Sequence, residues 1–162
     1  MDKYEYNIKT EKMKKLVDAQ DYQAAVKIAD MMDWRRERNL RMLAMAASVY
    51  EEVGRYQDAK DILMLSYERA PVGRRLLYKL TEISVKERNF KDAAMFYKEY
   101  MEVAPNDLGK YILRYRIAAG RGEPLEDQIS VLEAYKEREF DERWAYELAK
   151  LYHCLLYTSR CV

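Results

Sequence analysis

Turn-forming and metal-binding residues are scarce in this 162-residue chain, which has 5 Gly, 3 Pro, 2 Cys and 1 His. So few Gly and Pro leave little room for the turns of a strand-rich fold, and the abundance of Ala, Leu, Met, Glu, Lys and Arg predicts long helices. Cys154 and Cys161 both fall in the last nine residues, so the rest of the chain offers no disulfide and no thiolate metal site. The one histidine, His153, supplies no material for a Ser-His-Asp arrangement or a His-based metal centre, and we read it as a helix-surface or cap residue. Gly54, Gly73, Gly109, Gly120 and Gly122 never assemble into GxxxxGK[ST] or GxGxxG, which excludes the usual phosphate-cradling loops. No run approaches the ~18 apolar residues of a membrane-spanning helix, and the opening MDKYEYNIKTEKMKKL lacks a continuous apolar stretch. These gaps predict a soluble, cytoplasmic, non-enzymatic protein with no cofactor and no metal.

A charge excess is also missing: 29 Lys and Arg face 28 Asp and Glu. So weak a net field does not by itself recruit nucleic acid or an anionic membrane. Neighbouring acids such as Glu51 with Glu52, or Glu137 with Glu139, sit among equal numbers of bases and read as solvated helix faces, not as a hydrolase pair. Local exceptions are Arg35, Arg36, Arg38 and Arg41, and Arg74 with Arg75. Nucleic-acid recognition requires such arginines to align beside stacking aromatics. Because Asp33 precedes the first cluster and Glu37 interrupts it, solvated helix ends or an acidic-peptide groove are favoured over RNA or DNA.

What is abundant is packing material. Hydrophobic residues make up 49% of the chain, enough for a sizeable core, and 15 Tyr against 3 Phe make tyrosine the bulky packing residue. Met31, Met32, Met42, Met45, Met64, Met95 and Met101 fall at helical spacing and read as core.

These residues repeat. Tyr22, Tyr56 and Phe90 are spaced by 34 residues, as are Ala25, Ala59 and Ala93, and Pro71 and Pro105 keep the same interval. Each aromatic follows a polar break, in AQDYQAA, VGRYQDA and ERNFKDA, where the chain must turn between helices. The Ala one helical turn later lets the two helices approach closely, and Pro ends the second helix. Leu43, Ala46, Ala47 and Tyr50 answer to Leu77, Leu80, Thr81 and Ser84 in the preceding helices, with Ser84 a weak stand-in for an aromatic.

The segments VGRYQDAKDILMLSYERAP and ERNFKDAAMFYKEYMEVAP closely resemble the second half of the tetratricopeptide repeat. We therefore expect an all-α superhelical solenoid of antiparallel hairpins. Repeats fall at about 4–37, 40–73, 74–107 and 108–138, with a half repeat at 140–153. The fourth lacks the aromatic and Ala, and its turn, carrying Gly120, Gly122 and Pro124, is shifted by one residue and reshaped. Residues 154–162 break the pattern, and CLLYTS resembles the translation of a sequencing-library adapter end. We read 154–162 as a non-native tail following a truncation near His153.

The resemblance implies a concave groove lined by the first helix of every hairpin, and hence a scaffold for a protein or peptide ligand. By that register the groove is lined by Arg41, Met45, Ser48, Tyr78, Lys79, Glu82, Ile112, Arg116 and Tyr146, with Arg75 one turn before Lys79. Family members that hold a peptide carboxylate converge Lys, Asn and Arg from several first helices. Only Arg75 and Lys79 resemble that clamp, since Thr10, Lys14 and Met45 occupy its other places. Aromatic, basic and apolar residues together suit an extended peptide or partner helix. Two further readings remain open: a regulatory part of a larger signalling or transcription-control protein, and an RNA-binding helical repeat.

Overall fold

The computed structural model describes residues 3–157, so of the expected tail at 154–162 the part beyond Tyr157 lies outside the described residues, while α9 runs on through its first residues to Leu156. Every regular element among them is helical. In order they are α1 (Lys3–Asp18), α2 (Tyr22–Ala29), a 3-10 turn (Trp34–Arg36), α3 (Leu40–Glu52), α4 (Tyr56–Arg69), α5 (Arg74–Lys86), α6 (Phe90–Val103), α7 (Gly109–Arg121), α8 (Leu125–Lys136) and α9 (Glu142–Leu156). They form two compact units, Met1–Val72 and Gly73–Val162.

Local chemistry repeats in step with the elements. One residue in each hairpin turn is left-handed: Gln20 (φ 58°), Gly54 (77°), Arg88 (62°) and Gly122 (67°), each 34 residues from the next. In the first three hairpins the second helix opens two residues later on Tyr22, Tyr56 or Phe90, and Ala25, Ala59 and Ala93 are fully buried. The fourth keeps the left-handed position but opens α8 one residue late, at Leu125, because Pro124 stands extended just before it. The expected one-residue shift thus lies between Gly122 and Leu125. Gln128 takes the small-residue place, and its buried amide donates to the Glu123 carbonyl at 2.7 Å.

In the first unit α1 packs on α2, α2 on α3 and α3 on α4. Leu43, Ala46, Ala47, Val49 and Tyr50 turn one face of α3 inward, as their helical spacing dictates. The Tyr50 hydroxyl donates to Asp30 at 3.0 Å, and Arg55 closes on the same carboxylate with 2.8 and 2.9 Å bonds. Burial, reinforced by Asp30, pushes the Tyr50 phenol up to about 12. The second helix of the first hairpin is short: α2 stops after eight residues. Met32 and Trp34 fold back into the core in its place, and the indole N–H donates to the Ala29 carbonyl at 3.0 Å.

In the second unit α5 packs on α6 and α7, α7 on α6 and α8, and α8 on α9. Leu77, Leu80, Thr81 and Ser84 are fully buried. The two hydroxyls need no outside partner, since each donates at 2.7 Å to the carbonyl one turn back. Gly120 permits contact with Phe90, because a Cβ there would stand 2.9 Å from the ring. Ile129 and Leu132 of α8 join Leu148 and Leu151 of α9 in one apolar cluster, flanked by Tyr115, Leu125, Trp144 and Leu155.

Candidate functional site

The second unit assembles three of the groove candidates into one charged cluster. Tyr78 and Lys79 are neighbours on α5 with Glu82 one turn on, and Arg116 lies on α7, which packs beside it. Lys79 Nζ reaches Glu82 Oε2 at 3.1 Å, while the Arg116 guanidinium donates to Glu82 Oε1. All three are half-buried. Burial disfavours the ionised Glu82, but the Lys79 ammonium and Arg116 guanidinium outweigh it and hold the carboxyl below its ordinary value. Arg116 also lies 5.8 Å from the centre of the Trp144 ring, on which Arg143 sits from α9 at 5.3 Å.

Tyr78 borders this cluster, its ring edge-on to Tyr100 at 6.1 Å, and burial raises its phenol above the ordinary value against the pull of Arg116. Arg75 is exposed one turn before Lys79. Tyr146 stands on α9, 67% exposed, with the Lys150 ammonium 5.5 Å from its ring. Ile112 is not on a surface at all: at 7% exposure it belongs to the core of the second unit. In the first unit Arg41 is exposed, Met45 and Ser48 are half-buried, and the Ser48 hydroxyl donates at 2.8 Å to the Met45 carbonyl.

The arginine cluster of the first unit has a different setting. Arg35, Arg36 and Arg38 leave the short 3-10 turn exposed and, with Leu40 and Arg69, line a cavity of about 710 Å³. Arg69 reaches back from the end of α4 to donate to the main-chain carbonyls of Arg35 and Glu37. A second cavity of about 680 Å³ shares Arg35 and Arg69 and runs along α4, past Met64 and Leu65.

No protein-family model matches the chain, and no curated protein matches it significantly. Solved structures do. A tetratricopeptide repeat protein from Parabacteroides merdae aligns over 96% of this chain with a TM-score of 0.77 at 17% identity. The chain spans 60% of that protein's length. The MamA RS-1 ArsTM double mutant aligns over 96% of this chain and 97% of its own, with a TM-score of 0.64 at 13% identity. YrrB, described as a TPR protein with an unusual peptide-binding site, aligns over 81% of this chain and 67% of its own, with a TM-score of 0.56 at 20% identity. The chain has the tetratricopeptide-repeat fold.

Within this tetratricopeptide fold the spacing of aromatic, Ala and Pro had not disclosed the capping residues. Asn39 and Asp141 cap α3 and α9, and Asp107, one residue before the Leu108 that precedes α7, falls on the same 34-residue interval; each accepts from the backbone N–H two residues on, at 2.9, 2.9 and 2.8 Å respectively. The interval places Gly73 between Asn39 and Asp107, where no side chain caps. A polar residue just before an apolar helical run is a readable start signal, and it was there to be found. Trp144 and Arg69 carried no comparable signal, because their roles depend on partners 28 and 34 residues away in sequence. Among the described residues no group of three or more His, Cys, Asp or Glu could hold a metal, and no helix is long and apolar enough to cross a membrane. The arrangement can offer fixed charges and aromatic edges to a ligand.

Proposed function

We propose that the protein is a non-enzymatic, cytoplasmic interaction scaffold, and that the faces of α5, α7 and α9 carrying Tyr78, Lys79, Glu82, Arg116 and Tyr146 take an extended peptide or a partner helix. The observation that carries this reading is the Lys79–Glu82–Arg116 cluster. Two cations from two helices converge on one half-buried carboxylate, with Tyr78 and Trp144 beside them. Their charges are fixed in advance, so a ligand meets a preorganised polar centre between aromatic anchors and needs to order few side chains. Arg75 extends the candidate contacts on α5, and Arg41, Met45 and Ser48 are separate candidates on α3 of the first unit. YrrB, with its described peptide-binding site, gives a precedent for peptide recognition on this fold.

The test is selection from a random peptide display library on the immobilised protein, followed by anisotropy titration of the selected peptides. The double substitution Tyr78→Ala with Lys79→Ala is expected to weaken binding at least tenfold while helical circular dichroism is unchanged. Equal affinity in the variant would remove this surface from consideration.

A further inference from the structure

We propose that the arginine-lined cavity of the first unit is a second binding site, one that takes the clustered carboxylates of an acidic peptide segment. It stands apart from the α5–α7–α9 reading and does not depend on it.

The composition of the wall carries the argument. Of the five residues lining the cavity, four are arginine and the fifth, Leu40, is 43% exposed; no carboxylate lines it. Several arginines elsewhere are matched, as Arg55 is by Asp30 and Asp58, and Arg114 by Glu123. Those at this cavity are matched less, and four of them share one wall. Among the described residues Arg35 and Arg38 have no acidic partner, and Arg36 has only Asp33, in an exposed pair at 3.1 Å. Arg69 is bound, but to two carbonyl oxygens, which orient its guanidinium without cancelling its charge. The same bonds tie the 35–37 backbone to α4, so the cavity wall is held in place before a ligand arrives. Guanidinium groups with unused N–H donors bind carboxylates in bidentate pairs, and several converging on one cavity favour a ligand with several carboxylates.

The neighbourhood selects peptide over polynucleotide. No aromatic side chain lines this cavity; Trp34 lines the adjoining one but is only 6% exposed, with its N–H on Ala29, so it offers no free face for a base to stack on. The adjoining cavity carries Asp33, Asp61 and Glu68 beside Met64 and Leu65. A continuous phosphate backbone would be repelled there, whereas a peptide can change character from acidic to apolar and basic within a few residues. The ligand we infer is therefore a run of Asp or Glu followed directly by apolar residues and a Lys.

The experiment uses the full chain and a fluorescein-labelled peptide of four Glu, two Leu and one Lys, titrated by anisotropy. A Glu-to-Gln version of the peptide and a single-stranded RNA hexamer serve as comparisons. Binding of the acidic peptide that falls at least tenfold in Arg35→Glu with Arg38→Glu, and by less than fivefold in Arg35→Lys with Arg38→Lys, supports the site. Both residues are exposed, so unchanged thermal melts are expected and confirm that each variant is folded. The proposal is overturned by failure of the acidic peptide to bind, by equal affinity of the Gln peptide, or by charge reversal without effect. It is also overturned if RNA binds more tightly than the acidic peptide and is the ligand lost on reversal. Loss of acidic-peptide binding in Tyr78→Ala with Lys79→Ala, with Arg35→Glu and Arg38→Glu silent, would place the anion on the α5 surface instead.

Discussion

The connection from α2 to α3 and the connection from α6 to α7 join the same kinds of element, yet they are built differently. In the second, α6 runs fourteen residues, Pro105 follows its end, and the chain reaches α7 at Gly109. Its polar groups are largely satisfied within the joint. Asp107 accepts from Arg74 at 2.7 Å and from the Gly109 N–H at 2.8 Å, and Lys110 donates to the Pro105 carbonyl. In the first connection α2 stops after eight residues with no proline, and the chain runs from Asp30 to Asn39 before α3 begins. A tryptophan and a methionine fill the core there, while Arg35 and Arg38 emerge beside them with no acidic partner among the described residues and Arg36 has only its exposed pair with Asp33. An early helix stop therefore converts a closed joint into an open, charged one.

Breaking the first joint is expected to cost most. Trp34→Ala removes the buried ring and one of the two bonds to the Ala29 carbonyl, which keeps the Met32 N–H, so we expect a loss of about 3–5 kcal/mol in denaturant unfolding. A loss under about 1 kcal/mol would show that Met32 and its neighbours hold the joint without the ring. The second joint should respond more to added bulk than to removal. A Cβ on Gly109 would lie 2.8 Å from the Tyr100 hydroxyl and 3.0 Å from Tyr78 Cε2, so Gly109→Ala should cost about 1–3 kcal/mol. An unaltered melting temperature would mean that both rings move aside freely.

How far the sequence disclosed this contrast depends on which forces set each feature. Tyr22, Ala25 and their counterparts were legible because helix-to-helix contact calls for a small residue one turn after a bulky one, and the first three repeats all supply it. Ser84 looked like a defect in the pattern, but its hydroxyl satisfies itself on Leu80, so burial costs little. The length of α2 was not legible: VKIADMM keeps a helical apolar spacing, and only tertiary burial of Met32 and Trp34 shows where the helix gives way. At the candidate site the register brought Lys79, Glu82 and Arg116 together as residues on the same repeat face. It also put Ile112 there, because repeat spacing cannot say how deep a position lies once neighbouring helices pack against it.

Acid sharpens the comparison further. The Gly109 N–H, helped by Arg74, holds the Asp107 carboxyl below its ordinary value against burial. A depressed carboxylate contributes stability above its unfolded pKa of roughly 3.9 and loses that contribution as pH falls through the folded value. Asp107→Asn should therefore cost about 1 kcal/mol near neutral pH and progressively less below roughly pH 4, as read from urea melts. A wild-type to variant difference that is constant across that range would detach Asp107 from the acid response.

The smallest expected effects come from the hairpin turns, which serve as a control because all four share one backbone geometry. Gly54 and Gly122 meet the left-handed requirement without a Cβ, whereas Gln20 and Arg88 meet it against their own side chains. Replacing either by Gly relieves a strain of about 1 kcal/mol but restores a comparable part of it as freedom of the unfolded chain. For Gln20→Gly, where no side-chain bond is lost, we expect a net gain of about 0.5 kcal/mol. For Arg88→Gly the guanidinium 5.8 Å from the Phe90 ring is lost as well, a contact worth about 0.5 kcal/mol at an exposed site, so the two terms cancel. Equal melting shifts in the two variants would show that the Arg88–Phe90 contact contributes nothing. A loss in Gln20→Gly would show that left-handed strain at the first turn is smaller than the entropy glycine adds to the unfolded chain.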